Sequence, residues 1–205
     1  MPMSRRQILI AALDLADKHG AEQLTMRSLA TKLDRRPSSL YNHISGRDDL
    51  IEGMRAVVVE EIDTSAFATA TWDEAVVVWA KSYLAAFAAR PNCIRLLATT
   101  PITDPSTMHM YDVVVSALVR GGWGDGDAVA VMRTVEALVL GSALDEIAPS
   151  SFLALEAVPL ELEALRHSLE PANLERARAR AAFVLGMGAL IEGLRARLSA
   201  TLHQS

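Results

Sequence analysis

The sequence predicts an all-α protein, with three short helices forming a small head and a larger helical body behind it. Three observations carry this prediction. Ala and Leu dominate a 205-residue chain that is 51 % hydrophobic. β-branched runs are short, and apolar residues recur at three- and four-residue spacing. Pro and Gly cluster at breaks between those periodic stretches, as at Arg90-Pro91, Pro101 with Pro105, Gly121 to Gly124, Pro149 and Pro171.

The elements follow in order. Ser4 and Gln7 form a capping-box pattern that starts the first helix. Its apolar face is Ile8, Leu9, Ala12, Leu13, Leu15 and Ala16, and Gly20 ends it. Thr25 caps a second helix with Leu29, Ala30 and Leu33 inward. Asp34-Arg35-Arg36 makes a turn, and Pro37 opens a third helix with Leu40 and Ile44 inward. Ser45 or Gly46 caps a fourth helix, from Arg47 to about Ile62, with Asp48 and Asp49 in its first turn. Small residues from Asp63 to Thr71 make a break. Further helices are expected at Trp72–Arg90, Asn92–Thr99, Ser106–Arg120, Asp125–Ile147, Leu160–Ser168 and Ala172–Leu202. The domain division is 1–48 and 49–205, with helix 49–62 connecting the two.

Composition excludes several classes. The longest uncharged apolar run, Ala181 to Ile191, is too short to span a bilayer. The N-terminal MPMSRRQ lacks a signal-peptide core, so a cytoplasmic protein is expected. Cys93 is the single cysteine, which rules out an internal disulfide and disfavours a Cys-based zinc site. Gly-x-Ser-x-Gly elbows, phosphate loops and Glu-x-x-His pairs are absent, so no enzyme class is indicated and no cofactor or metal is expected. Net charge is −5, yet residues 1–48 hold eight basic and five acidic side chains, so a head of +3 precedes a body of −8. A basic head on an acidic body suits a head that meets phosphate.

The segments LTMRSLATKL (Leu24–Leu33), SLYNHI (Ser39–Ile44) and RDDL (Arg47–Leu50) closely resemble, in residues and in spacing, the head of the tetracycline-repressor (TetR) family. Trp72, the Arg90-Pro91 break, the Gly121-Gly122-Trp123 corner and Leu140 to Asp145 resemble the body of the tetracycline-repressor branch. The resemblance implies a helix-turn-helix DNA-binding head, an effector-binding and dimerisation body, and a homodimer on a palindromic DNA operator. It further implies that the protein is a transcriptional repressor released by a small-molecule effector. Carried over by position, Thr25, Arg27, Pro37, Ser38, Ser39, Tyr41, His43 and Arg47 are the DNA-binding residues. Tyr41 and His43 are equally compatible with packing against the first helix. Asp34 and Arg35 depart from the family's Gly and small apolar residue in the turn, which predicts a looser first half of the turn.

Helices 125–147 and 172–202 are long and apolar, and are expected to form the dimer interface; an ordinary internal core is the alternative. Trp79, Tyr83 and Phe87 recur every four residues on one helix face, which periodicity alone assigns to core packing. Trp79, Tyr83 and Asp145 match ligand-contacting positions of the family. Phe87, Arg95, Met108, Tyr111 and Arg133 complete the expected effector set. Asn92 to Thr100 contains no His, so a metal-bound tetracycline is not expected, and the effector is predicted to be aromatic or lipophilic. The competing reading is a helical ligand-sequestering protein with weakened DNA binding.

Overall fold

The computed structural model describes residues 3–146, 154–174 and 178–202, and these contain helices and turns but no strand. Helix α1 spans Arg5–His19 and opens on the expected capping box: Gln7 N–H donates to Ser4 Oγ at 3.2 Å and Ser4 N–H to Gln7 Oε1 at 2.9 Å. All six predicted inward residues of α1 are buried. Thr25 caps α2 (Met26–Lys32) in the same reciprocal way, with Ser28. Helix α3 is a single regular turn, Pro37–Leu40, and Ile44 N–H still donates to Leu40 O at 2.9 Å. Leu40 and Ile44 are fully buried, so the short helix is held by its apolar side rather than by its length.

The α2–α3 turn is fully bonded rather than loose. Arg35 N–H donates to Ala30 O at 2.9 Å and Asp34 N–H to Thr31 O at 3.1 Å, the two bonds of a Schellman motif. Asp34 takes the left-handed conformation with φ 51°, the one non-Gly residue at positive φ among those described. Arg35 is exposed and turns its guanidinium back to Asp34 O at 3.0 Å, so it does not plug the core.

Helix α4 (Arg47–Val59) is buried along most of its length and packs on α1 on one side and on body helices on the other. It ends three residues before the predicted Ile62, which sits buried in the following turn. The body comprises α5 (Trp72–Ala88), α6 (Ile94–Thr99), α7 (Pro105–Arg120), α8 (Asp125–Asp145), α9 (Glu163–Ser168), α10 (Pro171–Leu174) and α11 (Ala179–Leu202). The predicted start of α9 at Leu160 moves to Glu163, because Leu162 N–H turns back to Pro159 O at 3.1 Å. The predicted single helix from Ala172 is two helices, α10 and α11; residues 175–177 between them, and Ile147 and Pro149 after α8, lie outside the described residues. None of the described helices is long and apolar enough to cross a membrane.

One apolar cluster runs from Ile8 to Leu198 through both parts of the chain. Helix α8 packs on α5, α7 and α11. The α7–α8 corner requires glycine twice. A Cβ at Gly121 would stand 2.5 Å from Trp72 Cδ1, and Gly122 has φ 102°. Trp72 and Trp123 meet edge-on there with ring centroids 5.6 Å apart. Arg195 Nε donates to Asp73 Oδ2 at 2.6 Å and ties α11 to the start of α5.

Relieving the left-handed Asp34 is expected to stabilise the fold. Asp34→Gly should raise the unfolding free energy by about 1 kcal/mol, and Asp34→Val should lower it by at least as much. Urea unfolding of the two variants against the parent checks both signs.

Candidate functional site

On the head, Arg27, Pro37, Ser38 and Tyr41 are exposed on α2, α3 and the turn after α3, and Tyr41 keeps 54 % of its surface open. Ser39 is half-buried, with its hydroxyl donating to Arg36 O at 2.7 Å. Thr25 is exposed but uses its hydroxyl in the α2 cap. His43 is half-buried, and its carbonyl accepts from Arg5 Nη1 at 2.6 Å. Arg47, expected to meet phosphate, is exposed and also donates to Leu24 O at 2.8 Å, joining the start of α4 to the α1–α2 connection.

The turn between α3 and α4 is pinned from below. Arg5 Nη2 lies 2.5 Å from Asp49 Oδ1, and Ser45 N–H donates to Asp49 Oδ2 at 2.7 Å. The Arg5 hydrogen bond, with help from Ser45, holds the Asp49 carboxyl well below the usual carboxylate range, at about 2, against the opposing effect of partial burial. Arg5 therefore positions the turn that carries Tyr41 to Gly46.

In the body, α4, α5, α6, α7 and α8 enclose a cavity of about 440 Å³. Of the predicted effector residues, Tyr83, Phe87, Tyr111 and Arg133 line it. The other four do not. Trp79 is completely buried one turn before Tyr83, stacked edge-on to Tyr83 and Phe67. Arg95, Met108 and Asp145 are exposed on faces of α6, α7 and α8 turned away from the cavity. All three residues of the Trp79–Tyr83–Phe87 face are buried, as periodicity alone assigns, and Tyr83 and Phe87 also form cavity wall.

Two charged wall residues, Glu136 and Arg55, were not legible in the sequence. Glu136 on α8 accepts from both phenols at one oxygen, Tyr83 Oη at 3.0 Å and Tyr111 Oη at 2.6 Å. Burial pushes the Glu136 carboxyl above its usual range, and the Tyr111, Tyr83 and Arg133 interactions only partly oppose this. Arg55 on α4 is the second. It is 3 % exposed and pairs with Glu52. It also donates to Leu97 O at 2.8 Å, Thr100 O at 2.8 Å and Pro101 O at 3.2 Å. Glu52 Oε2 in turn accepts from Thr103 N–H at 2.5 Å and Asp104 N–H at 2.6 Å. The connecting helix α4 is therefore clamped to the end of α6 and the start of α7. An acidic and a basic residue three apart inside an otherwise apolar helix was the available signal for this pair.

Residues 67–198 match the family described as "Tetracyclin repressor-like, C-terminal domain". The chain belongs to the tetracycline-repressor family. Members of this family are transcriptional regulators and not enzymes. The tetracycline repressor protein class A from transposon 1721 of Escherichia coli is 28 % identical over 194 residues, which cover 93 % of this chain and 89 % of that protein. An HTH-type transcriptional regulator from Saccharopolyspora erythraea is 28 % identical over 70 % of this chain, and the match spans 61 % of that regulator's length. Among solved structures, a possible TetR family transcriptional regulator from Streptomyces coelicolor A3(2) superposes with TM-score 0.78 at 30 % identity, covering 94 % of this chain and 99 % of that one. ActR from Streptomyces coelicolor, in complex with actinorhodin, superposes with TM-score 0.76 at 25 % identity, covering 97 % of this chain and 99 % of that one.

The two charge clusters make separate predictions. Because Asp49 is depressed in the folded state, its contribution to stability is complete above its unfolded value of about 3.9 and is lost as pH falls through about 2. Asp49→Asn should remove that acid-limb component. Arg5→Met should move the Asp49 titration midpoint, followed by carboxyl NMR, up towards the ordinary value. Arg55→Met leaves buried carbonyls and Glu52 without their cation, and is expected to cost about 3 kcal/mol in urea unfolding. The double variant Glu52→Gln, Arg55→Met should cost less than the sum of the two single variants.

Proposed function

We propose that this chain is a ligand-responsive transcriptional repressor that binds a palindromic DNA operator as a homodimer and is released by a small-molecule effector. The observation that carries the proposal is the Glu52–Arg55 clamp, which joins the helix behind an exposed polar reading surface to the wall of an internal cavity.

The head meets DNA through α3 and the start of α2. Arg27, Ser38 and Tyr41 are exposed and free to reach bases and phosphates, and Pro37 sets the start of the helix. Thr25, Ser39 and His43 approach the groove with side chains or carbonyls already partly engaged. Arg47 is held by Leu24 O through one nitrogen and stays exposed, so its other N–H groups can meet phosphate. The +3 head charge supplies the sequence-independent attraction.

Dimerisation uses α8 and α11. Phe183, Met187 and Ile191 face inward on α11, while Val184 and Leu185 stand 59 % and 76 % exposed beside Gly188 and Ala189. On α8, Leu144 is 47 % exposed beside Gly141. Small and apolar residues on two adjacent helices suit a four-helix contact about a two-fold axis. Such a dimer places the two heads about one DNA turn apart, roughly 34–36 Å, or a small multiple of it.

The effector enters the 440 Å³ cavity, whose aromatic wall suits an aromatic or lipophilic ligand. Leu97, Ala98 and Ile102 belong to both the cavity wall and the segment whose carbonyls hold Arg55. A ligand that displaces this segment shifts α4, and with it the head. Release follows only if the ligand binds the DNA-free arrangement more tightly than the operator-bound one.

The test is fluorescence anisotropy with a labelled palindromic fragment from beside the gene. Tight binding should weaken steeply from about 50 to about 200 mM salt. Arg27→Ala and Tyr41→Ala should each weaken it by about 2 kcal/mol without loss of thermal stability. Undetectable binding at every salt concentration would instead identify a ligand-sequestering protein.

A further inference from the structure

The effector cavity carries a carboxylate whose bonding is lopsided. Tyr83 and Tyr111 both donate to Glu136 Oε1, and Oε2 has no hydrogen-bond partner among the described residues. Three aromatic rings, Tyr83, Phe87 and Tyr111, line the same cavity, with Tyr83 and Phe87 centroids 5.0 Å apart. Two cations also line it. Arg55 has both terminal nitrogens engaged, by Glu52 and three backbone carbonyls. Arg133 is exposed and makes no ion pair with Glu136.

Each ligand charge meets a different reception here. An anion would face the Glu136 carboxylate with only the exposed Arg133 to hold it. A neutral aromatic would fill the space and leave Oε2 unpaired in a largely apolar wall, at a desolvation cost. An ammonium group would donate to Oε2 while its carbon skeleton lies among the rings, where aromatic faces also attract cations.

Resting on the reading of this cavity as the effector site, we propose that its ligand is a lipophilic amine, held by Glu136 Oε2 through its protonated nitrogen. Tyr83 and Tyr111 orient the carboxylate, and Arg133 at the cavity wall disfavours a second positive charge on the ligand. Oε2 has no hydrogen-bond partner among the described residues, and burial pushes the Glu136 carboxyl up. A bound ammonium therefore supplies the missing counter-charge, and binding should strengthen as Glu136 ionises.

The experiment compares three probes of matched shape on the full chain: naphthylmethylamine, naphthylmethanol and naphthoate. Affinities are read by isothermal calorimetry, supported by thermal shift. The amine should bind about tenfold or more tighter than the alcohol, and naphthoate should bind weakest. Glu136→Gln should abolish the advantage of the amine over the alcohol. If the alcohol or naphthoate equals the amine in the parent protein, the cavity stands as a ligand site and the amine proposal falls. If the amine binds best in the parent and equally well in Glu136→Gln, Glu136 is not its anchor and the proposal falls. If none of the three binds, the cavity reading itself falls, and the amine with it. The probe series on the parent protein needs no variant, so an unstable Glu136→Gln does not blunt the test.

Discussion

The buried pair Glu52–Arg55 is the constraint on which the rest of the arrangement depends. Two charges removed from water are costly unless each finds a full set of partners. Here the partners are mostly backbone: the carbonyls of Leu97, Thr100 and Pro101 for Arg55, and the amides of Thr103 and Asp104, with the Thr103 hydroxyl, for Glu52. The segment from 97 to 104 is the point where α6 stops and α7 starts, so its orphan carbonyls and amides need partners from elsewhere. Helix α4 provides both signs of charge at the required spacing. The consequence is geometric: α4 cannot move independently of this connection, and the connection cannot change shape without presenting α4 with unpaired groups.

This clamp gives meaning to features on either side of it. Towards the head, α4 begins beneath the reading turn, where Arg5 and Asp49 hold residues 43–49 and Arg47 reaches back to Leu24. The turn is therefore supported by three short-range locks rather than by the length of α3, which is one turn long. Towards the body, the same segment forms part of the cavity wall together with residues from α5, α7 and α8. The same polar network thus touches both the cavity wall and the helix that leads to the head.

The outer face of α8 and α11 follows a different logic. Exposed large apolar residues scattered singly need no explanation, but Leu144, Val184 and Leu185 stand on two helices that pack on each other, beside Gly141, Gly188 and Ala189. Small residues there allow close approach by another helix pair. The cavity has the opposite economy: large rings and a single internal carboxylate, with most of its wall apolar.

Local chemistry was sufficient to read the helices, their caps and the inward faces of the head from sequence. Capping boxes at Ser4 and Thr25, proline at the first position of α3 and apolar spacing in α1 act over three or four residues, and each appears in the structure at the predicted place. The exposure of Arg27, Pro37, Ser38 and Tyr41 was legible for the same reason, since α2 and α3 have one buried side each. Only the tertiary structure decided what lines the cavity. Trp79, Tyr83 and Phe87 share a helix face, but the curvature of the packed body buries the first and opens the other two to the cavity. Arg95, Met108 and Asp145 were expected at the ligand and are exposed outside the cavity wall, whereas Arg55 and Glu136, which no motif singled out, line it. Their roles arise from contacts 25 to 53 residues apart along the chain, which no local pattern encodes. Periodicity tells which side of a helix is apolar; whether that side meets core, cavity or another subunit is set by the neighbours it is packed against.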